Sequence, residues 1–462
     1  MSAASPEEVA AAQRIRAAAG DISLSRFEPG LLRKVWIIAV DCLYGLWVCI
    51  LGLVPVLLDY IYTNLCQSRK DRLPASVAAL VDPAVYSRLA GYTVVSVEYK
   101  NSEEQHANST DRAWLRVTKE DGEVCEVFAK VHSQNLLVRT FFFMFPVYDN
   151  ELNAYATLSF PVMTPKPHVV RWSRSRFTLI LEDLRAHGDV TLPNLWMNPP
   201  ATRQLAESIL DSLARVHAKF WGKPPAGIWT DKTRPYFGKQ IGFYTMWKVK
   251  RSIPEDAFPA DVRKTFASAL WHWGSLRTHW SKTAQTMAHG DAHMGNYFIR
   301  DDDGSVGMFD FQCLTHEHCM RDVTYFMCSS LPEELTASSE KDLIKFYLSR
   351  LAAHRGDVPS DTPGAAVPTF DEAWYEYRNQ SLYALFAFVF SGGFSNLMDE
   401  YVWGETEKRK RKRQGREREE KGGREREEKG EEEGGRGKRS ACQVYPCVCS
   451  IVCASVCVCA CA

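Results

Sequence analysis

Three oxygen-bearing side chains stand close together late in this 462-residue chain. Asp291 lies in His289-Gly290-Asp291-Ala292-His293-Met294-Gly295-Asn296, and Asp310-Phe311-Gln312 follows after a turn and a short apolar run. An aspartate can take the proton of a hydroxyl, while an asparagine and a second aspartate offer the hard oxygen donors that magnesium prefers. Together they make the set needed for Mg-dependent phosphoryl transfer, with Asp291 as the base and Asn296 and Asp310 holding the metal against nucleotide phosphates. His-Gly-Asp alone is a weak signal; the spaced set is a specific one.

Such a set needs a loop followed by a hairpin. Tyr297-Phe298-Ile299 reads as a strand, residues 301–304 as a turn and residues 306–309 as a second strand, so Asp291, Asn296 and Asp310 are expected at one edge. The chemistry also needs a cation on the phosphates. Val127-Phe128-Ala129-Lys130-Val131 ends a strand over residues 123–131, and a lysine among apolar residues must find an anion. Protein kinases put such a lysine on the α- and β-phosphates and pair it with a glutamate of the next helix. Residues 147–155 read as that helix and Glu151 as that partner, against the plainer reading of a solvated lysine and a surface glutamate.

Two earlier strands, residues 92–99 and 113–118, flank a polar loop at 101–111. It carries Ser102, Asn108, Ser109 and Thr110 but no glycine, and reads either as a cover for phosphates or as an ordinary hairpin loop. Residues 177–184, Phe-Thr-Leu-Ile-Leu-Glu-Asp-Leu, form a buried strand running into an acidic turn. In a two-lobed kinase this is the hinge, which makes Leu181, Glu182 and Leu184 the candidates for nucleotide contact. His187-Gly188-Asp189 repeats the tripeptide without the asparagine and metal aspartate that follow the first, and reads as a loop.

Beyond the hinge, Thr202 opens a helix with apolar residues at 205, 209, 213, 216 and 220. His217 on it reads as a packed core histidine, since no carboxylate stands near it in sequence. Residues 222–279 are rich in Trp, Tyr and basic side chains and read as a variable helical region that could line a substrate pocket. A helix over 339–353, capped at Ser339, and an aromatic helix over 371–390 follow. Cys313, His316, His318 and Cys319 are zinc-ligand types, but they are spaced too tightly for an ordinary four-ligand site.

Lys+Arg and Asp+Glu both number 56, so no global charge points to nucleic acid. Half of the 14 cysteines fall after residue 441 and the rest are scattered; this is no disulfide framework, and it favours a reducing compartment. Residues 35–58 are apolar and aromatic with Asp41 as their single charge. The uncharged part, 42–58, would be roughly 26 Å long as a helix, against a hydrocarbon core of ~30 Å. Flanking Trp, Tyr and basic residues favour a membrane span or anchor over residues 35–62; the alternative is a buried or surface-lying helix. Residues 404–462 open as a Lys/Arg/Glu/Gly run with an exact repeat, 415–422 and 423–430, and end in alternating Val, Cys and Ala. That tail reads as disordered and as an artefact, a translated simple repeat, with a metal-binding or palmitoylated tail as the other reading.

The H-G-D-A-H-x-G-N and D-F-Q motifs, the V-F-A-K strand, the L-I-L-E-D-L hinge and L-A-R-V-H-A-K-F-W at 213–221 resemble the aminoglycoside phosphotransferase and choline-kinase-like superfamily. Within it the chain is most similar to the ecdysteroid-kinase-like branch, over about residues 82–400 and most specifically over 289–325. The resemblance implies an α+β, two-lobed protein-kinase-like fold, with a small β-rich N-lobe over 82–184 and a mostly helical C-lobe over 185–403. With the segment 1–34 and the expected membrane helix in front, this completes the domain plan.

Carried over by position, the resemblance makes Asp291 the catalytic base, Asn296 and Asp310 metal ligands, and Lys130 with Glu151 the phosphate-binding pair. His289, His293 and Asp322 support them, Asp322 in a structural role. Helices like that of 371–390 wall the acceptor site in this superfamily, which makes Trp374, Tyr377 and Tyr383 candidates there. The expected activity is transfer of the γ-phosphate of ATP, with Mg, to a hydroxyl of a small molecule, at a membrane and facing the cytosol. A kinase-fold nucleotide-binding or scaffold protein without turnover is the alternative.

Overall fold

The computed structural model describes residues 31–68, 71–100, 105–106, 110–144, 147–193, 201–222, 225–228, 260–283, 285–356 and 366–401. Most of the segment 1–34, most of the polar loop 101–111, most of the variable region 222–279 and the tail after 401 lie outside the described residues.

The N-terminal part is built on an antiparallel sheet, six strands in all, in the order β1-β3-β4-β6-β5, with the short β2 on β3. Its strands are β1 (Val94–Tyr99), β2 (Gln105–His106), β3 (Thr110–Lys119), β4 (Val124–His132), β5 (Pro167–Ser173) and β6 (Arg176–Glu182). Alternation explains the burial: Ala113, Leu115 and Val117 of β3 and Val127, Ala129 and Val131 of β4 turn to one face and form a core with Val77, Leu80 and Tyr86. Strand β5 starts at the end of a Pro-rich stretch, residues 161–167. Pro167 opens it at the sheet edge, a place where a missing N–H is tolerated.

Ahead of the sheet stand helix α1 (Leu31–Leu65) and helix α2 (Pro83–Ala90), the second capped by the Asp82 carboxylate accepting from Ala84 N at 2.9 Å. The expected membrane helix is corrected here. Residues 35–62 do lie within one 35-residue helix, with Pro55 inside it. Among the described residues no helix is long and apolar enough to cross a membrane. The C-terminal end of α1 packs instead on α3 (Leu136–Met144), with Val56, Asp59 and Thr63 buried.

Helix α4 (Val147–Thr157) follows α3 and packs across the edge between the two halves of the molecule. The second half is helical: α5 (Arg203–Lys219), α6 (Ala260–Trp271), α7 (Trp273–Thr283), α8 (Met320–Ser330), α9 (Glu333–Arg355) and α10 (Phe370–Tyr401). Helix α5 starts where expected, with the Thr202 hydroxyl accepting from Leu205 N at 3.2 Å, and its apolar stripe packs on α9. Helix α9 begins six residues before the expected cap: Pro332 stands before its first residue and Ser339 is buried within it. Between the helices run β7 (Val190–Thr191), β8 (Thr286–Ala288), β9 (Tyr297–Arg300), β10 (Val306–Met308) and β11 (Thr315–Glu317), paired β10-β9-β7 and β11-β8. One continuous core joins α4, α5 and α8 to α10.

Candidate active site

The β9–β10 hairpin is antiparallel, with Met308 opposite Tyr297, and this register decides the site. Asn296 just precedes one strand and Asp310 stands two residues past the end of the other. Phe309 N donates to Asn296 O at 3.0 Å, so the two expected metal ligands sit side by side at the hairpin mouth. Asp291 reaches the same place from the loop before β9. Asn296 Nδ2 donates to Asp291 O at 2.7 Å and to Asp291 Oδ2 at 3.3 Å. Those bonds use the Asn296 amide nitrogen and leave its amide oxygen out of the contact with Asp291.

From the other lobe, Lys130 on β4 and Glu151 on α4 come together, both buried. Lys130 Nζ donates to Glu151 Oε1 at 2.7 Å and to Asp310 Oδ1 at 3.1 Å, so one ammonium links the sheet, α4 and the aspartate. Burial pushes the Glu151 carboxyl up, with Lys130 opposing. Burial would raise Asp310 as well, but Lys130 and then Arg112 outweigh it and hold that carboxyl down at about 2. Arg112 faces Lys130 across the β3–β4 ladder. Asp310 has φ 65° and ψ 61°, left-handed backbone that costs a non-glycine residue about 1–2 kcal/mol. Lys130 holds it there.

The loop that carries Asp291 is shaped by groups remote in sequence. Asp322 Oδ2 accepts from His289 N at 2.6 Å and Oδ1 from Gly290 N at 2.9 Å. Its Oδ2 also meets His217 Nε2 at 3.1 Å, and His217 Nδ1 lies 2.7 Å from Tyr347 Oη. Burial works to raise the Asp322 carboxyl; the His217 hydrogen bond and charge overcome it, so the group stays below the usual carboxylate range. His217 is the core histidine expected, and its carboxylate partner comes from 105 residues away.

His289 Nε2 lies 3.0 Å from Phe309 O and its Nδ1 accepts from Asp291 N at 3.3 Å, which sets the proton on Nε2. Gly290 has φ +77°, and a Cβ there would lie 2.1 Å from Cys313 O. No other residue type fits that position. His293 caps the turn of residues 294–296 through Gly295 N at 3.0 Å, with Nε2 3.8 Å from Asp291 Oδ2.

Several supporting contacts carry no local sequence signal. Asn150 Nδ2 donates to Leu314 O at 2.6 Å, tying α4 to the loop after Asp310. Phe311 is buried with Phe160 stacked at 4.2 Å and Tyr155 at 5.3 Å. Tyr383 Oη donates to Gly290 O at 2.6 Å, so this acceptor candidate braces the Asp291 loop. Tyr377 is fully buried, with its hydroxyl 3.4 Å from Glu340, and Trp374 stacks on Phe370 and Tyr377. Both are packing residues of α10.

The hinge residues divide. Leu181 is buried in β6. Glu182 N donates to Lys166 O at 2.9 Å and its carboxylate accepts from Lys166 N at 2.7 Å, so this residue ties β6 to the start of β5. Leu184 starts a 3₁₀ turn capped by the Asp183 carboxylate, which accepts from Arg185 N at 3.0 Å. His187-Gly188-Asp189 lies in the loop before β7, far in the chain from the metal-type residues, as expected of it. Among the described residues no group of three or more His, Cys, Asp or Glu is placed to hold a metal ion, the Cys313–Cys319 loop included. The Asp310 and Asn296 oxygens suit magnesium, which takes one or two protein ligands and fills its shell with water and phosphate.

A sheet-rich lobe, a helical lobe and a lysine bridging a helix glutamate to an aspartate between them define a two-lobed, kinase-like fold. Residues 255–359 match the model of the ecdysteroid kinase-like family, the branch that the motifs resemble. Among solved structures the chain is similar to an aminoglycoside phosphotransferase from Streptomyces rimosus, at 14% identity over 66% of this chain and 97% of that one, TM-score 0.34. It is also similar to an ethanolamine kinase from Plasmodium vivax, at 12% identity over 69% and 80%, TM-score 0.37. An ADP-bound aminoglycoside phosphotransferase matches at 12% identity over 69% and 97%, TM-score 0.33. No curated protein matches the chain.

Proposed function

We propose that this chain is an ATP- and Mg-dependent kinase that transfers the γ-phosphate to a hydroxyl of a small molecule. The observation that carries the reading is Lys130 Nζ, 2.7 Å from Glu151 and 3.1 Å from Asp310. A buried ammonium fixed between a helix carboxylate and the aspartate of the hairpin mouth is poised for a phosphate chain.

In the proposed reaction Asp291 accepts the proton of the acceptor hydroxyl as its oxygen attacks the γ-phosphorus, and the bond from that phosphorus to the β-bridging oxygen breaks, releasing ADP. Asn296 holds the Asp291 carboxylate in place through its amide, and His289 and Asp322 fix the backbone beneath it. Lys130 neutralises phosphate oxygens, with Glu151 keeping the ammonium in place. Asp310 and Asn296 are the residues that would hold Mg, which when bound screens the charge of the transferring phosphoryl group. Since the reaction draws on ATP, the catalytic lobes work in the cytosol or an equivalent ATP-containing space.

The test is product formation from Mg-ATP and a metabolite extract, followed by mass spectrometry, with the full chain and its Asp291→Asn variant. Loss of a general base lowers turnover by ~10²- to 10⁴-fold. Undiminished turnover in the variant removes Asp291 from the role. Nucleotide binding with no product across a broad acceptor panel marks a non-catalytic nucleotide-binding protein instead.

A further inference from the structure

The end of α1 is seated on the hairpin turn that backs the glutamate helix. Asp59 is 1% exposed; its Oδ2 accepts from Ser175 Oγ at 2.6 Å and lies 3.5 Å from Arg176 Nε. One turn on, the Tyr62 ring carries the Arg174 guanidinium at 4.4 Å. Arg174, Ser175 and Arg176 form the β5–β6 turn and its exit, and Arg174 has φ 53°, a left-handed residue needing support from its surroundings. Arg139 of α3 is buried as well, its Nε and Nη2 without hydrogen-bond partners among the described residues. Asp59 is thus a carboxylate set among buried guanidinium groups.

From that turn a short chain of contacts leads to the Lys130–Glu151 pair. Phe177, next to Arg176, packs on the Tyr148 ring of α4 with centroids 4.6 Å apart. Phe177 is also tied to β4: its N–H donates to His132 Nδ1 at 3.3 Å, two residues beyond Lys130. Tyr148 precedes Glu151 by three residues on α4, so the two share a helix face. A small cavity lined by Phe142, Tyr148, Leu152, Arg174 and Phe177 lies between the turn and α4. That face of α4 is therefore not fully packed, and the turn's position bears on where the helix settles.

We propose that Asp59, acting through Ser175 and Arg176, is a positioning residue that holds the β5–β6 turn against α4 and so keeps Glu151 on Lys130. This rests on the kinase reading for its functional readout, though not for its structural one. Asp59 touches no reacting atom. Its part is to make α1 a strut of the nucleotide site.

The experiment uses the full chain and compares Asp59→Ala and Ser175→Ala, each in the native and the Glu151→Gln background. Mg-ATP affinity is measured by calorimetry, and amide exchange by mass spectrometry over residues 147–157. In the native background, Asp59→Ala is expected to weaken Mg-ATP by about tenfold, a common size for coupling between sites, and to speed exchange across 147–157 relative to β3 and β4. In the Glu151→Gln background the affinity loss shrinks to less than twofold, because the pair that Asp59 positions is already gone. Ser175→Ala, a mild change, gives the same pattern with smaller amplitude and decides the matter if Asp59→Ala does not fold. Equal losses in both backgrounds, or unchanged affinity and exchange in a folded variant, overturn the proposal. If the native chain does not bind Mg-ATP, the kinase reading fails, and exchange over 147–157 still judges the strut by itself.

Discussion

Asp322→Asn offers a sharp trial of how the Asp291 loop is held. The native carboxylate has no exposed surface and accepts three times: from His289 N at 2.6 Å, Gly290 N at 2.9 Å and His217 Nε2 at 3.1 Å. Asparagine keeps the shape but replaces one oxygen with an NH₂ group. If its oxygen faces His289, the NH₂ meets the Gly290 N–H, donor against donor. If the amide flips, the His289 N–H is left unpaired. An unsatisfied buried donor costs about 1–3 kcal/mol, and bonds to a charged acceptor are worth about 1.5–3 kcal/mol.

The expected loss of stability is thus about 3–5 kcal/mol, enough to register in a denaturation curve and short of most folding free energies. Because Asp291 directly follows the released amides, a displacement on the order of 1 Å is expected, with about a hundredfold loss of turnover. Denaturant unfolding, turnover and amide exchange at His289 and Gly290 are read together. An Asp322→Asn protein with native unfolding and native exchange at both amides would refute the clamp.

Three further outcomes follow from the same geometry. Gly290→Ala sets a Cβ 2.1 Å from Cys313 O at φ +77°, so the loop must move, and turnover is expected to fall by at least tenfold while the unfolding midpoint drops; normal kinetics would contradict the close approach. Lys130→Met leaves Glu151 buried without its cation at a cost of about 3–5 kcal/mol, and adding Glu151→Met is expected to restore part of it; a double variant no more stable than the single one would show that the pair is not coupled. Glu376 lies 2.9 Å from His279 and, although burial opposes it, that hydrogen bond holds its carboxyl below the ordinary value of 4.5. Its contribution to stability is therefore present above that value and lost as pH falls through the lower, folded value, so acid unfolding should be less steep in Glu376→Gln, and an unchanged acid limb would count against the pairing.

The parts of the site that lie near one another in sequence could be read from it. Asp291, Asn296 and Asp310 are spaced by a loop and a hairpin, and hairpin register follows from strand alternation alone. Lys130 and Glu151 could be paired because a cation in an apolar strand needs an anion and the next helix supplies one. Strand β5 was not legible because prolines at 161, 165 and 167 crowd its start, and a proline in a strand is tolerated where the strand lies at a sheet edge. The start of α9 was missed because a serine–glutamate pattern at 339 looked like a cap, while the chain already turns helical after Pro332.

What the sequence by itself determined is the set of groups on offer: Asp291, Asn296 and Asp310 at short spacing, and a strand lysine, Lys130, with a helix carboxylate, Glu151, to pair with it. Only the tertiary structure decided how they are braced. Asp322 beneath the loop, His217 beneath Asp322, Asn150 on Leu314 and Tyr383 on Gly290 are contacts between segments far apart in the chain, and no local pattern encodes a partner reached by chain folding. The apolar run of α1 makes the same point in reverse. Hydropathy reported that it is apolar; the fold showed that its end, through Asp59, is seated on the hairpin behind the glutamate helix. Burial depends on what packs against a surface, and that is settled only when the whole chain is in place.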